Sequence, residues 1–178
     1  MIKFGRGGSM DRLGKLAEHI AELARKDEER IKRELAVAEQ RLNGARELHQ
    51  VCADFVSALN SLLPRAIVEL SPAEFTAGTF HDAGENLYQI NVTGRLIQIE
   101  FRTTDTVFST EKYRVPYILE GEIRCFDQDA LDRAVIPVDS LFYCVERGAQ
   151  SWVVFDPRTH HATDFDRDLL ITSMERFV

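Results

Sequence analysis

The stretch DRLGKLAEHIAELARKDEERIKRELAVAEQRLNGARELHQVCADFVSALNSLL, Asp11 to Leu63, decides the fold. Its apolar residues recur every three or four positions. They run Leu13, Leu16, Ile20, Leu23, then Ile31, Leu35, Ala38, Leu42, Ala45, then Leu48, Cys52, Phe55, Leu59, Leu62. Spacing that alternates between three and four aligns side chains in one narrow stripe along a helix, the seam of a coiled coil. A single helix cannot bury such a stripe alone, so the pattern predicts a partner. Leu13, Leu16, Ile20, Leu23, Ile31, Leu35 and Leu42 are the residues assigned to a helix–helix seam.

Local signals support the helix. Glu22–Lys26, Glu28–Lys32 and Glu29–Arg33 stand four apart with the acid N-terminal, the favourable order. Arg25–Glu34 is almost wholly charged and must be solvated around most of its circumference. The pattern slips near Asp27–Ile31 and again between Ala45 and Leu48, as stutters and stammers do in coiled coils. Asn43-Gly44 is also a good helix stop. The segment is therefore either one long helix pairing with another copy or a hairpin that turns back at Asn43-Gly44. In the register of Ile31–Ala45 both residues fall outside the stripe, so a continuous helix costs only about 1 kcal/mol and is the preferred form.

Leu63-Pro64 ends the helix, because the residue before Pro is pushed out of the α region. Ser71-Pro72-Ala73-Glu74 matches a capping box and predicts a helical turn. Alternation of period two then takes over. Leu87–Val92 and Arg95–Phe101 flank Thr93-Gly94 and predict a hairpin. Thr106–Ser109 reads as a further strand, and Val115–Phe126 as a longer extended run with Pro116 at its start. Asp127–Arg133 reads as a short helix capped by Asp127. Leu141–Val145 and Ser151–Phe155 flank a glycine-bearing loop as a second hairpin. Asp164–Phe177 reads as a helix with Phe165, Leu169, Leu170, Met174 and Phe177 on one face.

The predicted class is α+β. A long N-terminal coiled-coil-like helix precedes a mostly antiparallel sheet of five or six strands, with a short helix and a C-terminal helix packed on it. The expected divisions are a flexible tail over 1–10, the helix over 11–63 and the α+β domain over 64–178.

Composition narrows the function. At 178 residues, 44% hydrophobic and 29% charged, the chain has the make-up of a soluble globular protein. No apolar run approaches the roughly 20 residues that cross a bilayer. The opening MIKFGRGGSM lacks the apolar stretch of a secretory signal. Cys52, Cys125 and Cys144 are odd in number and widely spaced, as for reduced thiols in a cytoplasmic protein. The net charge of −7 is uneven: residues 1–63 hold 11 Lys+Arg against 10 Asp+Glu, and residues 64–178 hold 11 against 19. The second part would repel a phosphate backbone, which argues against nucleic acid; it suits a basic partner or a cation, and solubility alone is the simpler explanation of an acidic surface.

Three clusters bear on chemistry. Asp156, His160 and His161 are weak metal candidates, because carboxylate and imidazole ligate zinc or manganese, yet no H-E-x-x-H or H-x-x-x-H spacing accompanies them. The simpler reading is a polar turn leading into a capped helix, for which Asp-Pro-Arg-Thr is ordinary chemistry. Asp105, Glu120, Glu122 and Arg124 could form a nuclease-like carboxylate site on a strand face, or simply a solvated face. His81 and Asp82 lie in a loop with no nucleophile assigned to them. No G-x-S-x-G, P-loop or dinucleotide fingerprint occurs, and no cofactor is expected. His49 beside the stripe reads as a solvated flank, and Trp152 as a core residue.

The order of elements is similar to that of the type III secretion chaperones. That resemblance rests on element order alone, with no shared motif and a much longer first helix here, and it implies a small dimeric binding protein. The sequence therefore reads as a non-enzymatic assembly protein, adaptor- or chaperone-like, that forms a homodimer or higher homo-oligomer through its helix and presents an acidic domain to a protein partner. The alternative is a metal-dependent hydrolase or nuclease built on one of the Asp/Glu/His clusters, and a third reading is a regulatory subunit whose helix docks onto a different chain.

Overall fold

The computed structural model describes residues 7–133 and 136–176, with side chains from Met10 onward. Helix α1 runs unbroken from Gly7 to Leu62, through Asn43-Gly44. Residues 1–6 of the expected tail lie outside the described residues, and α1 already includes Gly7–Met10. Seven strands follow: β1 (Val68–Ser71), β2 (Asn86–Val92), β3 (Arg95–Thr103), β4 (Tyr117–Phe126), β5 (Val138–Glu146), β6 (Ala149–Asp156) and β7 (His161–Asp164). Helix α2 (Gln128–Arg133) joins β4 to β5, and α3 (Arg167–Glu175) follows β7. The class is α+β, with seven strands rather than five or six; the short edge strands β1 and β7 were not recognisable as strands by alternation.

The sheet is a meander, ordered β1 to β7, each strand antiparallel to the next. Each strand therefore pairs with its neighbour in the chain, which tight turns make easy. Thr93-Gly94 and Arg147-Gly148 are two-residue turns with positive φ at both positions, the hand that suits strand twist. Thr106–Ser109 is not a strand. Ser109 makes one bridge to Tyr117, and Thr104 and Thr106 hydroxyls bond carbonyls two residues on, so the segment is held as a loop. The helical turn expected at Ser71-Pro72-Ala73-Glu74 is absent. The Pro72 carbonyl instead accepts from His49 Nε2 at 2.8 Å, and a single 3₁₀ turn forms later at Ala77–Thr79.

Period two sorts the side chains onto two faces. One face carries Tyr88, Ile90, Ile97, Ile99, Phe101, Leu119, Ile123, Leu141, Tyr143, Trp152 and Val154, all buried. The second half of α1 lies on it with Ala45, Leu48, Cys52 and Phe55 buried. Three polar tips tie the two layers. Trp152 Nε1 donates to the Gly44 carbonyl at 2.7 Å, Tyr88 donates to the Ala45 carbonyl at 3.1 Å, and Tyr143 donates to Glu47 at 3.0 Å. His49 is buried, edge-on to Tyr88 at 5.3 Å, rather than a solvated flank. Gly44 also faces inward, not outward. A Cβ there would lie 2.6 Å from the Tyr143 ring, so the helix approaches the sheet as closely as it does because this position has no side chain.

The C-terminal helix α3 starts where Asp166 Oδ1 accepts from the Leu169 amide at 2.9 Å. It buries Leu170, Ser173 and Met174. Asp164 belongs to β7, and Phe177 lies outside the described residues. Asp127 caps α2 as expected, accepting from the Ala130 amide at 2.8 Å.

The described chain divides into two compact units, with the boundary between Val37 and Ala38 inside α1. The first is helical. The second comprises the rest of α1 and the sheet with its helices. No helix among the described residues is long and apolar enough to cross a membrane.

Candidate functional site

Two surfaces and one turn hold most of the residues singled out above; His81 and Asp82 lie in the loop before β2, where Asp82 pairs with Arg41 at 3.6 Å. The first surface is the helix over Met10–Leu35. Met10, Leu13, Leu16, Ile20 and Leu23 are between 48% and 72% exposed, and Ile31 and Leu35 are exposed as well. Leu42, the last residue assigned to the seam, is half-buried and belongs to the second unit. The apolar ridge is thus bare in the first unit. Single exposed leucines are ordinary, but a continuous row of five is not.

This face is also wider than a seam. At about 100° per residue, positions 10–24 divide into an apolar and a polar half, each close to half the circumference. Leu13, Leu16, Ile20 and Leu23 occupy one side of the apolar half. Gly14, Ala17, Ala21 and Ala24 occupy the other, one residue on from each of these large side chains, with Met10 among them at the first turn. A search for large apolar residues alone passes over these small ones; placing every residue around the helix finds them. The polar half is not uniform either. Arg12, His19 and Lys26 border the large side chains, while Asp11, Glu18 and Arg25 border the small ones. Lys15–Asp11 (3.0 Å), Lys26–Glu22 (2.9 Å) and Arg25–Glu29 (3.2 Å) are pairs within the helix. The last replaces the expected Glu29–Arg33 pair.

The second surface is the sheet face opposite α1. The register places Arg102 beside Glu120 and Glu100 beside Glu122. Glu120 accepts from Arg102 at 3.0 Å and from Lys112 at 3.1 Å. Arg124 bridges Glu122 at 2.6 Å and Glu100 at 3.4 Å. Glu120 pushes the Arg102 guanidinium above its ordinary pKa, first through the hydrogen bond and then through charge. Together these residues line an open groove of about 330 Å³ with Glu85, Ser140 and Phe142. Asp105 is exposed on the loop after β3 and does not line it. The alternating carboxylates seen in the sequence do share a face, but Arg102 and Lys112 hold Glu120 while Arg124 spans the other two. Glu100 and Arg102 were visible only once strand pairing set the register, and Lys112 reaches Glu120 from the loop between β3 and β4. Gly121 sits at the base of this groove, where a Cβ would collide with the Glu100 carbonyl and Phe101.

Beside the groove, Tyr113 stacks on Phe142 at 5.3 Å, and Tyr117, Phe142 and Cys144 form a second, smaller core under the loop between β3 and β4. Burial pushes the Cys144 thiol up to about 11 and the Cys52 thiol up to about 12, so neither is a nucleophile at neutral pH.

The turn is Asp156–His161, between β6 and β7. Asp156 accepts from the Arg158 amide at 2.9 Å, from Arg158 Nε at 3.1 Å and from the Thr159 hydroxyl at 3.1 Å. The Arg158 amide is the main cause that holds this carboxyl below its ordinary range. Its oxygens thus organise the turn. His160 has φ of 55° and its ring stands 6.1 Å from Phe155, whereas His161 lies in β7 opposite Asp156. Among the described residues, no three His, Cys, Asp or Glu side chains gather as a group that could hold a metal ion.

No protein family, curated protein or solved structure matches this chain. Its function is therefore read from its own surfaces.

Proposed function

We propose that this chain is a non-enzymatic assembly protein. It self-associates through the first half of α1 and offers the acidic sheet unit to a protein partner of basic character. The observation that carries this reading is the bare ridge of Met10, Leu13, Leu16, Ile20 and Leu23. Fully burying a Leu or Ile is worth about 1.5–3 kcal/mol. These side chains are already partly covered by their own helix, so a contact over the ridge gains on the order of 5 kcal/mol per copy. Association costs about 4–15 kcal/mol in lost freedom. The two terms are comparable, which places the assembly in a concentration-dependent range.

The charge division supports the second half of the proposal. Residues 64–178 hold 11 Lys+Arg against 19 Asp+Glu, whereas residues 1–63 are nearly balanced. The sheet unit would attract a basic surface and the helix would not be repelled by its own copies. The test is sedimentation of the full chain over a hundredfold range of concentration. The mass is expected to rise from 20.3 kDa toward an integer multiple. A mass fixed at one chain throughout would overturn the proposal.

A further inference from the structure

We infer that the copies assemble as a parallel bundle of three or more helices, a conclusion that rests on the self-association proposed above. Two observations on residues 10–26 converge.

Width comes first. A two-stranded coiled coil covers a narrow a/d stripe, a minority of the circumference. The apolar face here occupies about half. One neighbour leaves much of it wet. A helix in a bundle of three or more has a neighbour on each side and covers such a face.

Shape comes next. Leu13, Leu16, Ile20 and Leu23 lie on one side of the face and Gly14, Ala17, Ala21 and Ala24 on the other, where Met10 at the first turn is the one large residue. In a parallel ring each helix turns its large side toward the small side of the next. Leu16 and Ile20 then meet Ala17 and Ala21 of the adjacent copy, the large-against-small pairing that fills space without overlap. An antiparallel pair would set leucine against leucine on one side and alanine against alanine on the other.

Charge does not choose between the arrangements. In a parallel ring Arg12 comes level with Asp11 of the adjacent copy but Lys26 with Arg25, and in an antiparallel pair centred on His19, Arg12 would face Lys26. Exposed pairs are worth only a few tenths of a kcal/mol each, so burial supplies the affinity and shape the orientation. Acidic and basic residues are interspersed on the polar half, which also favours other copies over an anionic lipid surface.

Disulfide exchange between two single-site variants, M10C and A24C, tests this. The two sites stand about 21 Å apart along the helix. The variants are mixed in a glutathione buffer, and the products are read by mass spectrometry beside the sedimentation mass of the wild type. Disulfides joining like sites, with a mass of at least three times 20.3 kDa, are the expected result. Mixed disulfides between positions 10 and 24, or a mass that stops at two copies, overturn the parallel bundle while leaving self-association standing. A mass that stays at one chain removes the proposal on which the bundle rests. A21L supplies a second reading, because the added bulk on the small side is expected to lower the dissociation midpoint at least tenfold in favour of single chains. An unchanged or higher-order mass overturns the shape argument. Binding to vesicles containing phosphatidylserine, with no multiple of the chain mass in their absence, assigns the face to lipid and overturns the bundle.

Discussion

At the scale of the residue, Gly44 shows how a local rule and a tertiary contact compete. As a helix interior position it costs about 1 kcal/mol relative to alanine. Gly44→Ala would recover that, but the new methyl would meet the Tyr143 ring at 2.6 Å. That ring is fully buried, packed 5.1 Å from Trp152, with its hydroxyl on Glu47 and Gln150, and so has no room to yield. Overpacking costs about 1–3 kcal/mol, which exceeds the propensity gain. Urea unfolding is expected to give a lower midpoint for Gly44→Ala than for the wild type, and a higher one would contradict the close approach. The sequence did show Gly44 as an oddity. It could not show its direction, because the stripe used to orient it continues on either side of the change from a bare helix to a covered one. His49 was misplaced for the same reason, since its burial depends on Tyr88 and the Pro72 carbonyl, both far from it along the chain.

At the scale of the element, α1 carries one spacing and two environments. Leu13–Leu16–Ile20–Leu23 and Ala45–Leu48–Cys52–Phe55 follow the same alternation of three and four. The first set is exposed and the second is buried on the sheet. Periodicity states that a side chain faces something apolar and is silent on which surface that is. Hence the helix, both hairpins and the two short helices were legible, because each is fixed by residues close in sequence. The edge strands β1 and β7, four residues each, were not, because their partners and not their composition make them strands. The charged groove was half legible: alternation put Glu120, Glu122 and Arg124 on one face, but only strand pairing added Glu100 and Arg102, and only the path of the β3–β4 loop added Lys112. The two halves of α1 should respond differently to the same truncation. Leu48→Ala is expected to lower stability by about 2–5 kcal/mol. Leu16→Ala in dilute solution, where single chains prevail, is expected to change the unfolding of the sheet unit by less than about 1 kcal/mol. Equal losses in chemical denaturation at that dilution would show that the ridge is covered within one chain.

At the scale of the molecule, ionisable groups lie under the helices: Cys52, Tyr88 and Tyr143 between α1 and the sheet, and Cys125 beside Ser173 of α3. Burial raises the Cys52 thiol to about 12 and the Cys125 thiol to about 11, and pushes the Tyr88 and Tyr143 hydroxyls well above their ordinary values. All four are held neutral in the fold. In the unfolded chain the thiols lose their protons near 9.0 and the phenols near 10.0. The unfolded state therefore binds fewer protons above about pH 9, so stability is fully present below that pH and falls as pH rises toward the folded values. The urea midpoint is expected to be lower at pH 10 than at pH 7.5, and an equal midpoint would contradict the burial of these groups.

The bond from Trp152 to Gly44 spans 108 residues, whereas each strand pairs with its immediate successor. The sheet can zip up one hairpin at a time at little entropic cost, but the helix has no complete floor to settle on until β6 is in place. Closure of the two layers is thereby the late event on the route to the native state. The lone tryptophan sits where that closure happens, so its emission serves as a built-in signal of the last step of refolding.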